Sequence, residues 1–143
     1  MRKITKQDII SEAHNTRKED LANDSWRRSY NLRWKCGEYT LSIGVGDGLY
    51  CHPRKVLEDV SEYTEVECAI LRRTGGLLSL EEVINTFGHG VGAMCEGYDY
   101  RNHADFLDSP MSNTVLPYIT WEQVEMVANR MWAVEDASYA SGC

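Results

Sequence analysis

At 143 residues, with 43% hydrophobic and 26% charged side chains, the chain fits one domain large enough to bury a core without disulfides or metals, and a second domain has no room. No stretch approaches 18 consecutive apolar residues, which excludes a membrane-spanning helix, and no repeat or low-complexity run interrupts the sequence. The net charge of −7 divides unevenly: residues 1–35 hold nine basic and five acidic side chains, residues 36–143 six and seventeen.

The start Met1-Arg2-Lys3 runs into Lys6 and Asp8 without the apolar stretch of a signal peptide. The five cysteines, Cys36, Cys51, Cys68, Cys95 and Cys143, are odd in number and form no Cys-x-x-Cys pair. Both observations lead us to expect a cytoplasmic protein with reduced thiols.

In chain order, Thr5 with Asp8 three residues on predicts a capped helix, and Ile9, Ile10, Ala13 and Leu21 extend an apolar face, so a basic helix is expected over residues 6–28. Tyr30, Leu32 and Trp34 then alternate with polar residues. Gly37-Glu38 makes a two-residue turn with glycine first, and Tyr39, Leu41, Ile43 and Val45 alternate again, which is a hairpin. Residues 49–62 read as loop with room for one helical turn. Val66, Cys68 and Ile70 alternate with Glu65, Glu67 and Ala69, so the sheet of residues 30–71 has an apolar face and a wet, acidic one.

Ser79-x-x-Glu82 caps a short helix over 80–87, ended by Gly88. Thr120-x-x-Gln123 caps a closing amphipathic helix over 121–134, where Trp121, Val124, Val127, Ala128, Met131 and Trp132 recur at three- and four-residue steps. Between them residues 88–113 form a long, glycine-rich and polar insertion, and 136–143 read as a loose tail. The expected fold is therefore a single α+β domain: N-terminal helix, antiparallel sheet of three or four strands, short middle helix, long insertion and closing helix.

Three kinds of chemistry can be written on this frame. His89, Cys95 and His103, with Asp99 and Asp105, sketch a zinc site or a Cys-His-Asp nucleophile. Their spacing matches no common structural site and no residue supplies a fixed fourth ligand, so neither a metal nor another cofactor is expected. The alternate glycines of 44–48 and 88–92 can form anion-holding backbone nests. Gly90 and Gly92 with Arg72, Arg73 or Arg101 make an alternative nucleotide site at an oligomer interface, although neither stretch is a dinucleotide fingerprint or a P-loop. Residues 26–35 interleave Trp26, Tyr30 and Trp34 with four cations. The preferred reading there is an aromatic anchor for the N-terminal helix, because the acidic remainder repels a polyanion and direct nucleic-acid binding is not expected.

The acidic side chains offer a different contact. Glu58, Asp59, Glu62, Glu65 and Glu67 lie close in sequence, and Glu65 and Glu67 share one sheet face. With Tyr98, Tyr100 and Arg101 of the insertion they are the expected partner-binding residues, and the charge division also suits a head-to-tail homodimer.

Three segments, Tyr39-Thr-Leu-Ser-Ile-Gly-Val-Gly-Asp-Gly48 followed by Tyr50, Thr64-Glu-Val-Glu-Cys-Ala-Ile-Leu71, and Val115-Leu-Pro-Tyr-Ile-Thr-Trp-Glu-Gln-Val124, together resemble small accessory proteins of tailed phages and prophages. The resemblance covers about a third of the chain and carries no catalytic residue across. It implies an α+β protein in the host cytoplasm that acts by stoichiometric binding, for instance by blocking a host defence complex or sequestering its signalling nucleotide. Non-enzymatic binding to a host protein is the leading expectation, nucleotide sequestration the second, and a cysteine or metal enzyme the third.

Overall fold

The computed structural model describes residues 2–15, 29–46, 49–55, 57, 59–95 and 114–141. It is an α+β fold whose strands follow one another across a single antiparallel sheet: β1 (His14–Asn15), β2 (Ser29–Cys36), β3 (Tyr39–Gly46), β4 (Glu65–Arg72) and β5 (Leu116–Thr120). Among the described residues the helices are α1 (Lys6–Glu12), α2 (Leu80–Phe87), the single turn α3 (His89–Gly92) and α4 (Trp121–Ser141), and a 3-10 turn spans Val60–Glu62.

Register explains the core. Cys36 pairs with Tyr39 across Gly37-Glu38, and Gly37 has φ +61, the left-handed conformation that the first central position of this turn requires. From that turn the pairing sets Leu32, Ile43 and Cys68 in one row across β2, β3 and β4, and Trp34, Leu41 and Ile70 in the next. All six are buried, as are Val66 and its β5 partner Ile119. Onto this face α4 lays Val124, Val127, Ala128 and Met131, while α2 adds Leu80, Val83, Ile84 and Phe87. Phe87 meets Tyr39 edge to face at 5.1 Å.

The opposite face carries the rows Arg33, Ser42, Ala69 and Asn31, Gly44, Glu67. Its two edges differ: the β5 edge is blunted against further strands, whereas the short β1 leaves the Lys35 end of β2 without a strand partner on that side among the described residues. β1 is two residues long, and β5 contains Pro117 and an irregular register between Val66 and Cys68.

The three capping boxes form as their residue types dictate. Thr5 with Asp8 starts α1, Ser79 with Glu82 starts α2, and at α4 the Gln123 main-chain N–H donates to Thr120 Oγ1 while the Thr120 main-chain N–H donates to Gln123 Oε1.

Four boundaries differ from expectation. The first helix ends at Glu12, because Ala13 turns to an extended conformation and His14 pairs with Arg33; of the expected span, residues 16–28 lie outside the described residues. A sequence-local pattern carries no information about an edge strand waiting at β2. The insertion begins as α3 and reaches a buried Cys95 before residue 96, with 96–113 outside the described residues. Gly92 permits this, since a Cβ there would lie 2.4 Å from Ile84 Cγ1 of α2. The residues before the closing helix form a fifth strand. Finally, α4 continues to Ser141 in place of a loose tail, carried past its core stripe by helix formers such as Ala133, Glu135 and Ala137.

Candidate functional site

Of the acidic side chains of residues 59–67, Asp59 and Glu67 are engaged locally. Asp59 caps the 3-10 turn, accepting the Ser61 N–H at 2.9 Å, and that bond holds its carboxyl below the usual carboxylate range. Glu62 is exposed and Glu65 half-buried. Glu67 is turned to structure, because its carboxylate accepts the Tyr50 N–H at 3.3 Å. Gly44, beside Glu67 in β3, leaves the space that Leu49 occupies, with a built Cβ 3.1 Å from Leu49 Cδ1. The chain at Leu49-Tyr50 thereby folds back over the wet face of the sheet.

That fold-back creates a feature the sequence reading missed. The Tyr118 N–H donates to Tyr50 O at 3.0 Å, and the two rings lie 5.7 Å apart, with the Arg54 guanidinium 5.9 Å from the Tyr50 ring. Tyr118 is 41% exposed and has φ +52, a left-handed conformation uncommon for a bulky residue. Glu65 pairs with Thr120, two residues along β5, so the tyrosine pair and Glu65 share one face, and the exposed Glu122 follows in the first turn of α4. Alternation in 115–120 shows only that Tyr118 and Thr120 project together. The partner Tyr50 is reached through tertiary contacts.

Glu58, Tyr98, Tyr100 and Arg101 lie outside the described residues, as do His103, Asp99, Asp105 and Trp26.

The candidate nucleotide residues are not brought together. Gly92 is buried against Ile84, while Gly90 is exposed. Arg72 pairs with Glu82 and also donates to Leu77 O at 2.8 Å, and Arg73 lies 3.8 Å from Glu38. The cavity of about 320 Å³ around both arginines has Glu38 and Glu82 in its wall and neither glycine. Gly44 is a strand residue paired with Glu67, and Gly48 lies outside the described residues.

Among the described residues four cysteines are buried as thiols, outside any disulfide: Cys36, Cys51, Cys68 and Cys95. Burial pushes the Cys36 thiol up to about 11, with Glu135 adding to it, and Cys95 up to about 12; Cys68 is raised further, by burial and then by Glu67. Cys95 turns its sulfur toward Val91 O at 3.9 Å, while His89 is exposed. A nucleophilic thiol needs the opposite shift. Among the described residues no three His, Cys, Asp or Glu side chains are grouped to hold a metal.

The raised thiols make a stability prediction. Each contributes stability that is fully present below the unfolded value of about 8.5 and is lost as pH rises toward the folded value. Urea midpoints measured from pH 7 to pH 10.5 should fall beyond about pH 8.5, and Cys68→Ala should flatten part of that fall. In native protein at pH 8 the four buried thiols should react slowly with a thiol reagent.

A second polar concavity lies at the β1–β2 edge of the sheet. A groove of about 350 Å³ is lined by Arg2, His14, Arg33 and Lys35, with Trp34 and Trp132 as aromatic walls and Glu12 as the one carboxylate among the described residues. Trp34 is 3% exposed and donates its indole N–H to Glu12 Oε2 at 3.2 Å, so it ties α1 to the sheet as expected of an anchor, with Arg33 and Lys35 facing out. Arg2 pairs with Glu12 and lies 5.4 Å from the Trp132 ring.

No helix among the described residues is long and apolar enough to cross a membrane. Compared with known proteins, the chain matches no family model, no curated protein and no solved structure.

Proposed function

We propose that the chain is a non-enzymatic accessory protein of the tailed-phage type, acting in the host cytoplasm by stoichiometric binding to a host protein and inhibiting a defence system. The observation that carries the binding role is the exposed Tyr118, held at φ +52 against Tyr50 and set beside Glu65 on the wet sheet face. Tyrosine and arginine are the side chains that most often dominate binding energy, and backbone held in a sparsely populated region clusters at functional positions. Glu65 on the same face and the exposed Glu122 at the start of α4 add acidic groups that favour a basic partner.

The test is capture of a partner from bacterial cytoplasm, with the stoichiometry of the purified complex read by native mass spectrometry. Tyr118→Ala and Glu65→Lys should each weaken that complex by about tenfold or more while the far-ultraviolet circular dichroism stays unchanged. A complex that both substitutions leave intact removes this face from the function.

A further inference from the structure

We infer that the basic groove at the β2 edge is a second binding site, one that takes a short acidic segment of a partner protein in extended conformation. It lies at the opposite end of β2–β5 from the Tyr118 face and does not depend on the role proposed for that face.

Two observations meet there. The first is charge. Among the described residues Arg2, Arg33 and Lys35 against Glu12 give the groove lining +2 with histidine neutral, on a chain whose net charge is −7. Arg2 is already engaged by Glu12, and Arg33 spends its Nε on Asn31 Oδ1 at 3.1 Å, which leaves its terminal nitrogens and the exposed Lys35 ammonium for incoming carboxylates.

The second is backbone. In a two-residue hairpin the closing pair exchanges both main-chain hydrogen bonds, so Cys36, and by alternation Trp34, point their N–H and C=O groups to β3. Arg33 and Lys35 point theirs the other way. Arg33 meets His14 of β1 there, but β1 goes no further, because the chain at Glu12, beyond the extended Ala13, is already α1. Among the described residues no strand pairs with Lys35 on that side. The main chain of Lys35 thus opens onto the groove, and a peptide supplies the matching N–H and C=O as an added strand.

The same geometry disfavours a nucleotide or nucleic acid. Trp34 is buried and its indole N–H is taken. Trp132 has Arg2 over its ring and also borders a neighbouring cavity of about 330 Å³ lined by Gly37, Glu135 and Asp136, where phosphates would meet two carboxylates. That acidic neighbour also limits the ligand. Its acidic residues belong beside Arg33 and Lys35, and an apolar or basic residue belongs beyond Trp132.

The test uses the full chain and a fluorescein-labelled peptide, Gly-Glu-Glu-Leu-Lys-Gly, read by anisotropy. Saturable binding is expected, weakening several-fold between 50 and 200 mM salt as surface charges are screened. The double substitution Arg33→Glu with Lys35→Glu, both exposed positions, should cost at least about tenfold, as should N-methylation of alternate peptide amides, which leaves the protein untouched. The Tyr118→Ala variant should bind the peptide unchanged, so loss of one proposed site is told apart from loss of the other. Absence of binding at millimolar peptide, equal binding by the doubly reversed variant or by the N-methylated peptide, or tighter binding of a (dT)6 oligonucleotide would overturn the proposal.

Discussion

Trp121→Ala should lower the free energy of unfolding by about 3–5 kcal/mol, a large part of the roughly 5–15 kcal/mol that holds a domain of ordinary size together. Trp121 opens α4 and is 9% exposed, and its indole N–H donates to the Tyr63 carbonyl at 2.8 Å, just before β4. On its ring rests the Lys6 ammonium at 4.9 Å, which also donates to Ser61 O at 2.8 Å. One side chain therefore joins α4, the segment entering β4 and the start of α1. Trp121→Phe keeps most of the apolar volume and loses the hydrogen bond, so about 1–2 kcal/mol is expected for it. Urea denaturation at constant m-value checks both, and a loss below about 1 kcal/mol for the alanine variant would show that the indole is not part of the core.

Asn129→Leu should produce the next largest loss, about 2–4 kcal/mol, by stranding two main-chain groups. Asn129 Oδ1 accepts the Ile4 N–H at 2.7 Å, and its Nδ2 donates to Ile4 O at 2.8 Å and to Glu125 O at 2.7 Å. The amide does for residue 4 what a neighbouring strand would do, and Ile4 is fully buried as a result. The measurement is hydrogen exchange at the Ile4 amide together with the unfolding midpoint. Protection there should collapse, and because Arg2 is two residues away, its contact with Trp132 should loosen in the same variant. Unchanged protection at Ile4 would mean that burial alone holds the N-terminal segment.

These two contacts show where a sequence pattern stops being informative. Local chemistry determined the capped starts of three helices, since Thr5, Ser79 and Thr120 each find a partner three residues ahead. It also determined the Gly37 turn and, through strict alternation, which sides of β3 and β4 are apolar. Such signals lie within a few residues of one another, so chain order suffices to read them. The α+β class and the closing helix followed from the same periodicities.

Tertiary structure decided what those elements meet. The first helix stops at Glu12 because β2 offers His14 a partner, which no pattern within 6–28 records. Glu67, legible as a surface acid, is drawn into holding Tyr50 because Gly44 on the next strand leaves room for Leu49. Tyr50 and Tyr118, 68 positions apart in sequence, become neighbours only through that fold-back, and the basic groove exists only where α1, β2 and α4 converge. The physical reason is common to all of them. Caps and turns are satisfied by residues adjacent in the chain, whereas a site is assembled from side chains whose separation is set by strand register and helix docking.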